Sequence, residues 1–293
     1  MEFLVGVIIP VFNRSEKLLR AVKSVLSSGE IKFQLLVVDD ASTEDLSQVE
    51  DFVKSRGHRW IRLETNEGPA GARNRGVAEL EAEWICFLDS DDYWLPEKLS
   101  AQIEWHQSNP EYRISQVEEQ WHRHGGAVKK PAHWKQKGGK LFEASVLRCS
   151  IGPSCVMIRR DLWQECGGFD PRFRVCEDYE LWLRIASKEK IGLVPGGPHV
   201  CKEGGHSDQL SLTVPAMDRY RVCALLKLLQ EGKLDSRQTD MVREGIRSKS
   251  TILAQGAEKR GNISATVFYT ALSQDEIEDP ASWLVEAWEQ CGN

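Results

Sequence analysis

The first hundred residues alternate short apolar runs with amphipathic stretches. Continuous apolar runs are typical of strands buried on both faces, and they predict strands over 3–9, 33–38, 60–63 and 84–88. Apolar residues at helical spacing between these runs predict helices over 15–29, from Ser42 or Thr43 to about 57, around 70–80, and from Pro96 to before Pro110. This alternation predicts an α/β fold with a mostly parallel, doubly wound sheet.

The chain after Pro215 has a helical pattern throughout. Candidate helices with short connections cover 217–229, 236–260, 263–272 and 280–290. We predict that they form a C-terminal helical extension. Such an extension can pack across the preceding domain, form a homodimer or contact a partner.

Acidic residues follow two of the predicted strands. Asp39 and Asp40 end the second strand, and Asp89, Asp91 and Asp92 follow the fourth. In doubly wound sheets ligands bind beyond the carboxyl ends of the strands, so both clusters are expected at one edge. An Asp pair alone is also a common turn, which is the favoured interpretation of Asp39-Asp40 taken alone.

The three carboxylates at 89–92 repel one another at neutral pH, which favours a bound cation. The sequence contains neither a G-x-G-x-x-G nor a G-x-x-x-x-G-K-[ST] motif, so a glycine loop is not expected to hold a phosphate. Mg²⁺ or Mn²⁺ can join carboxylates to a diphosphate because it takes oxygen ligands from both.

Four segments combine these features: VIIPVFNR at 7–14, VVDDAS at 37–42, NEGPAGARN at 66–74 and FLDSDD at 87–92. In their order and spacing they resemble the family 2 glycosyltransferases of GT-A fold. The resemblance continues through GGFD at 167–170 and EDYELWLR at 177–184, covers roughly residues 3–212, and fades beyond. It implies a Rossmann-like GT-A catalytic domain at 1–212, with a nucleotide-sugar half at 1–110 and an acceptor half at 111–212, followed by the helical extension at 213–293.

The resemblance implies transfer of a sugar from a nucleotide-diphosphate donor, with a UDP-sugar favoured, and inversion at the anomeric carbon. It implies a nucleotide-sugar site with Pro10 and Phe12 lining the base pocket, Asp40 or Asp39 accepting a hydrogen bond from the base, Arg73 near the nucleotide or its phosphates, and Asn13, Asp89 and Asp91 in the same site. The metal would be bound by Asp91 or Asp92, and the choice between them stays open.

An inverting displacement also needs a base that takes the proton of the acceptor hydroxyl. Glu177 and Asp178 open a predicted helix, where acidic residues also serve simply to complement the helix dipole. With the acidic clusters upstream, we favour Asp178 as the base and Glu177 as its neighbour, which would hold the acceptor. His206 follows this motif as a similar histidine does in many relatives, and would reach the metal or the diphosphate; an isolated histidine is more often structural.

Residues 120–142 carry six basic side chains and no Asp or Glu: Arg123, Lys129, Lys130, Lys135, Lys137 and Lys140. Glycines and aromatic interruptions predict a long loop. Our hypothesis is that this loop contacts an anionic glycan or lipid-linked acceptor. The alternative is a solvated loop without a ligand.

The net charge of −6 argues against nucleic-acid binding, which needs clustered Lys and Arg. The acidic excess lies entirely after Arg260, where six acidic residues occur and no Lys or Arg. No apolar stretch is long enough to span a bilayer, although peripheral membrane contact stays open. Eight cysteines without a C-x-x-C pair favour a cytoplasmic protein.

Two other functions compete with glycosyl transfer. A haloacid-dehalogenase-like, metal-dependent phosphatase also places an acid-x-acid motif after an apolar strand, as in Asp89-Ser90-Asp91. That alternative leaves the motifs around Asn13, Asp40 and Arg73 unexplained. A non-catalytic nucleotide-sugar-binding scaffold is the second alternative, and it is expected to lack a metal ligand or a base.

Overall fold

The computed structural model describes residues 4–29, 31–123, 126–131, 134–205 and 213–292. Within these ranges one sheet contains nine strands: β1 (Val5–Val11), β2 (Phe33–Asp39), β3 (Arg59–Arg62), β4 (Trp84–Phe87), β5 (Tyr93–Trp94), β6 (Ile114–Arg123), β7 (Gly126–Val128), β8 (Val156–Arg159) and β9 (Gly192–Gly204). Their order is β3-β2-β1-β4-β8-β6-β9-β5, and β7 pairs with β6 outside this path.

The helices among the described residues are α1 (Ser15–Leu26), α2 (Ser47–Lys54), α3 (Gly68–Ala78), α4 (Lys98–Ser108), α5 (Phe142–Leu147), α6 (Arg160–Cys166), α7 (Glu177–Ala186), α8 (Asp218–Gln230), α9 (Ser236–Lys259), α10 (Ile263–Gln274) and α11 (Pro280–Cys291). The predicted strands and helices are all present, with ends shifted by a few residues. The largest shift is at α2, which begins at Ser47 rather than at Ser42 or Thr43.

The late start of α2 has a local cause. The side-chain carbonyl of Asn13 accepts the backbone N–H groups of Thr43 and Glu44, at 2.9 and 3.0 Å, and a carboxylate oxygen of Asp39 accepts the N–H of Ser42. These bonds hold the segment after β2 as a loop. The loop is thereby fastened to the end of β1, where the candidate site lies.

The first half of the sheet is parallel, as predicted. Strand β1 is buried over all seven residues and pairs in parallel with β2 and β4, while β3 pairs in parallel with β2. Helices α1 and α2 cover one face and α3 the other. Helix α3 lies so close to β1 that a Cβ atom on Gly76 would sit 2.5 Å from Ile8, and this approach brings Arg73 to the sheet edge.

The second half of the sheet is mixed. Strand β8 is antiparallel to both β4 and β6, β9 is parallel to β6, and β5 is antiparallel to β9. The predicted α/β fold class is confirmed, with the antiparallel pairs confined to this half. The prediction of a loop over 120–142 is wrong at its start, because β6 continues to Arg123 and forms a hairpin with β7.

The helices α8 to α11 form the predicted C-terminal extension. Their apolar side chains share one core with α5 and α7, through residues such as Val146, Tyr179 and Leu183. The predicted boundary at 212 adjoins the undescribed segment 206–212 and stays a prediction, as does dimerisation through these helices. None of the helices within the described ranges combines the length and apolar character needed to cross a membrane.

Candidate active site

A cavity of about 740 Å³ opens at the carboxyl ends of β1, β2 and β4. Its wall is built by the loops after these strands, the start of α3, the start of α7 and the end of β9. The residues that line it include Pro10, Phe12, Asn13, Arg14, Asp40, Arg73, Asp89, Asp91, Asp92, Glu177, Asp178, Lys202 and Glu203. The topology thus brings the residues predicted from the strand ends together at one edge.

The two aspartates that end β2 have different surroundings. The carboxylate of Asp40 accepts the N–H groups of Glu67 and Gly68 at 2.7 and 2.9 Å, which satisfies the start of α3. Burial raises the pKa of Asp40 against the effect of these bonds. Asp39 pairs with Arg62 at 3.1 Å and is not among the residues that line the cavity. Of the two alternatives for the base contact, Asp40 is therefore the one at the cavity wall.

Pro10, Phe12 and Asn13 line the cavity next to Asp40. The Phe12 side chain is 45% exposed although it is large and apolar, so a planar ligand can cover it. Asn13 adopts a left-handed backbone conformation with φ 62°, and its side chain bonds to the loop after β2. Asn13 therefore shapes this wall of the cavity.

Three carboxylates gather after β4. Oxygen atoms of Asp89, Asp91 and Asp92 all lie within 4.8 Å of one another. Arg73 donates to Asp89 at 2.6 Å and Arg14 pairs with Asp91 at 3.0 Å. Burial favours protonation of Asp89, but Arg73 and Lys202 outweigh it and lower the pKa of that carboxyl.

Asp92 is the most buried of the three, at 1% exposure. It accepts the hydroxyl of Ser154 at 2.7 Å and the N–H of Glu203 at 3.1 Å. Burial and the charges of Asp91 and Asp89 raise its pKa well above the usual range, even though Lys202 acts in the opposite direction. These oxygen ligands match the preference of Mg²⁺ and Mn²⁺, so the residues after β4 fit a divalent cation.

The acids predicted to serve the acceptor lie at the start of α7. Glu177 is buried and pairs with Arg73 at 2.7 Å; burial raises its pKa to about 7, against the effect of Arg73. Asp178 lines the cavity, and the thiol of Cys149 donates to its Oδ2 at 3.3 Å. A carboxylate oxygen of Asp178 also accepts the N–H of Tyr179 at 2.7 Å, so both oxygens have a defined orientation.

Arg73 connects the two acidic groups. Its guanidinium binds Asp89 with one nitrogen and Glu177 with another, although Glu177 is 104 residues away in the sequence. The side chain is 4% exposed and stacks 5.2 Å from the ring of Phe169. The resemblance predicts Arg73 near the nucleotide, and the structure places it between the two ends of the cavity.

Sequence reasoning missed two cations of this site, Arg14 and Lys202. Burial would lower the pKa of Lys202, but the charges of Asp92, Glu119 and Asp89 raise it well above its usual value. The sequence offered no clear signal for Lys202, because it lies at the end of a strand rich in proline and glycine. His206, predicted to reach the metal, lies outside the described residues.

The basic segment contains one lysine that is not available to a ligand. The ammonium of Lys130 is 2.8 Å from an oxygen of Glu119, and the indole of Trp121 donates to the same oxygen at 2.7 Å. Burial favours protonation of Glu119, but Lys202 and Lys130 hold its pKa at about 2. Glu119 thus joins the basic segment to the cavity wall.

Replacing Glu119 by glutamine is expected to destabilise the fold at pH 7 by about 3 kcal/mol. The pKa of Glu119 is lower in the folded than in the unfolded state, so its contribution is complete above the unfolded value of about 4.5 and disappears as the pH falls through 2. Urea unfolding measures the free energy of unfolding of the wild type and of Glu119→Gln. The difference between the two proteins at pH 3 should be about half of the difference at pH 7.

The matched control is Glu118→Gln, one residue earlier on β6, which has no ion pair among the described residues. This substitution should lower the free energy of unfolding much less at pH 7. Its effect should not shrink between pH 7 and pH 3. An equal loss in both variants at both pH values would contradict the assignment of an ion-paired Glu119.

Known proteins resemble this chain over the part that forms the site. The family described as "Glycosyl transferase family 2" matches residues 6–166. An uncharacterised glycosyltransferase of Rickettsia felis is 35% identical over 188 residues, which is 64% of this chain and 31% of that protein. The chain thus spans about a third of the length of the rickettsial relatives it matches.

A UDP-Glc:alpha-D-GlcNAc-diphosphoundecaprenol beta-1,3-glucosyltransferase of Escherichia coli is 32% identical over 200 residues, covering 67% of this chain and 75% of that enzyme. Among solved structures, S. aureus TarS in complex with UDP-GlcNAc covers 98% of this chain and 92% of its own, with TM-score 0.63 and 16% identity. That likeness shows the fold. The family match covers more than half of this chain, and the E. coli enzyme is more than 30% identical over two thirds of it. The chain therefore belongs to glycosyl transferase family 2.

Proposed function

We propose that this protein transfers a sugar from a UDP-linked donor to a lipid-linked glycan acceptor, with inversion and with Asp178 as the general base. The observation that carries the proposal is the single cavity whose wall holds the Asp89–Asp92 acids on one side and Glu177-Asp178 on the other, joined by Arg73. A donor diphosphate and an acceptor hydroxyl can approach each other within such a cavity.

The donor side is proposed from the loops after β1, β2 and β4. The exposed ring of Phe12 and the carboxylate of Asp40 offer an apolar face and an acceptor for the N–H of a pyrimidine base. Asp91 and Asp92, with Asp89 beside them, would hold Mg²⁺ or Mn²⁺. Such an ion, when bound, neutralises the diphosphate and stabilises the leaving oxygen as a Lewis acid. The UDP-GlcNAc bound to the structural neighbour supports a UDP-sugar donor.

The acceptor side is proposed at the start of α7. Asp178 faces the cavity, and its orientation is fixed by Cys149 and by the N–H of Tyr179. Its carboxylate can take the proton of an acceptor hydroxyl while that oxygen attacks the anomeric carbon. The neighbouring Glu177 pairs with Arg73 and lines the same cavity, where it would hold the acceptor.

The relatives support both the stereochemistry and the acceptor class. The E. coli relative forms a β-linkage from UDP-glucose, a donor with an α-linked sugar, which corresponds to inversion. Its acceptor is a sugar on diphosphoundecaprenol. The phosphatase alternative finds no support, because the family match at 6–166 includes Asp89-Ser90-Asp91.

The decisive experiment offers a panel of UDP- and GDP-sugars, with Mn²⁺ or a chelator, to the protein together with a lipid-diphosphate-linked sugar. We expect release of UDP and a lipid product in which the transferred sugar has the anomeric configuration opposite to that in the donor. Both products should depend on Mn²⁺. In Asp91→Asn, the response of the reaction to Mn²⁺ should be much weaker. Free phosphate from simple phosphate esters would support the phosphatase alternative. Donor binding without any turnover across the panel would support the scaffold alternative.

A further inference from the structure

The hairpin beside the cavity and the segment that follows it carry several positive charges. Outside Lys130, the basic residues of 120–142 are all exposed: Arg123, Lys129, Lys135, Lys137 and Lys140. Strand β7 is exposed at all three residues and pairs only with β6 among the described strands. The segment 120–142 itself contains no Asp or Glu. We call these five basic residues together with β7 the basic hairpin surface.

Apolar side chains accompany this charge. Val128 and Trp134 are each 37% exposed, and the nearby Leu147 is 60% exposed. The guanidinium of Arg148 lies 5.8 Å from the ring of Trp134, and Trp134 lies 5.9 Å from Trp121. Exposed indole and aliphatic groups among cations are typical of surfaces that meet the interface of an anionic bilayer, where the rings enter the headgroup layer.

The hairpin is fixed to the body of the protein. Glu119 binds both Lys130 and the indole of Trp121, and the thiol of Cys155 donates to its other oxygen at 3.3 Å. Arg123 and Lys129 are therefore presented on an anchored hairpin. Lys137 and Lys140 lie on the segment after it, which the amide of Gln116 and the bridge between Gly139 and Ile191 hold beside the starts of β6 and β9. Anchoring of both parts lowers the entropic cost of binding through several of these cations at once.

The hairpin end of the basic hairpin surface adjoins the mouth of the cavity. In the register of β6 and β9, Trp121 lies opposite Lys202 and His122 lies opposite Glu203. Lys202 and Glu203 both line the cavity. A flat ligand on the hairpin would therefore lie at the rim of the cavity.

We propose that the basic hairpin surface docks on an anionic lipid bilayer and so presents the cavity to lipid-linked acceptors at headgroup depth. The choice of a bilayer rests on charge complementarity and on the exposed Trp134, Val128 and Leu147. The use of this contact rests on the proposed function, but the contact itself can be tested without donor or acceptor. Each lysine near an anionic bilayer contributes about a fivefold gain in affinity.

The test is sedimentation of the full chain with vesicles of phosphatidylglycerol and phosphatidylcholine, compared with vesicles of phosphatidylcholine alone. The wild type should bind the anionic vesicles, and high salt should weaken this binding. Replacing Lys129, Lys135, Lys137 and Lys140 together by glutamine should lower the affinity by a factor of a hundred or more. Trp134→Ala should weaken binding by a factor that salt does not change.

The matched control replaces four exposed lysines elsewhere by glutamine: Lys188, Lys190, Lys233 and Lys259. It changes the net charge equally and should bind anionic vesicles like the wild type. The proposal would be overturned if both quadruple variants lost affinity for anionic vesicles to the same extent. It would also be overturned if the wild type bound neutral and anionic vesicles equally well. Binding of soluble polyphosphate through the hairpin lysines without vesicle binding would also overturn it, because the surface would then serve a soluble polyanion.

This experiment separates the proposal from the proposed function. Donor hydrolysis without an acceptor, measured by UDP release, should be the same in the hairpin variant and in the wild type. If no nucleotide sugar is ever turned over while the hairpin lysines still determine vesicle binding, the proposed function fails and the membrane contact stands.

Discussion

Replacing Asp178 by asparagine is expected to lower kcat for sugar transfer by about a thousandfold and to leave the affinity for UDP within about twofold of the wild type. Asparagine is similar in size, and its one side-chain oxygen can keep the hydrogen bond from the N–H of Tyr179. Its amide nitrogen then replaces the oxygen that accepts the thiol of Cys149, which can still donate to the carbonyl of Ile151. It cannot take a proton from the acceptor. The donor is proposed to bind at the other side of the cavity, so its binding should be nearly unchanged.

Steady-state kinetics with a lipid-linked acceptor and calorimetric titration with UDP measure the two effects separately. Asp161→Asn serves as the matched control, because Asp161 is 47% exposed in an ion pair with Arg159 and does not line the cavity. It should transfer sugar at the wild-type rate. Retained transfer in Asp178→Asn, or a parallel loss of UDP affinity, would remove Asp178 from the role of base.

The elements of the first hundred residues could be predicted because their signals are local. An apolar run such as that of β1 needs only its own composition to indicate a buried strand. The late start of α2 could not be predicted in this way, since it depends on the side chain of Asn13 from the preceding loop. Contacts with residues distant in the sequence decided that boundary.

Strand β9 shows why the second half of the sheet was not predicted. It contains Pro195, Gly196, Gly197 and Pro198, a composition typical of a turn, and its pairing with β6 has register shifts near Glu118. Its role is nonetheless central, because it carries Lys202 to the cavity. A strand with this composition is defined by its neighbours, which a single sequence does not reveal.

The candidate site was predictable as residue types and only partly as geometry. The motifs after β1, β2 and β4 indicated which acids would gather, since parallel strands end at one edge. They did not distinguish Asp40 from Asp39. In the structure Asp40 lines the cavity, whereas Asp39 pairs with Arg62. Nor did they indicate that Arg73 bridges the acids after β4 and at α7, because that contact spans 104 residues.

Replacing Arg73 by methionine is expected to destabilise the protein by about 3–5 kcal/mol and to abolish transfer. The guanidinium is buried and offsets two carboxylates, those of Asp89 and Glu177, at 2.6 and 2.7 Å. Methionine fills a similar volume but leaves both acids without this partner. Urea unfolding measures the loss, and Arg75→Met on the same helix is the control, since Arg75 is 60% exposed and its pair with Glu79 is 3.8 Å long.

A second substitution tests whether the loss arises from the unpaired charge. In Arg73→Met the buried Glu177 must either lose its charge or remain charged without its partner, whereas Glu177→Gln removes that charge. The double variant should therefore have a higher free energy of unfolding than Arg73→Met alone. In a double-mutant cycle, the interaction energy between Arg73 and Glu177 should be about 1–3 kcal/mol. Transfer should stay abolished, because Arg73 is absent from the donor side. Additive losses in the cycle would mean that Arg73 stabilises the fold by packing against Phe169 and not by joining the two acidic groups of the site.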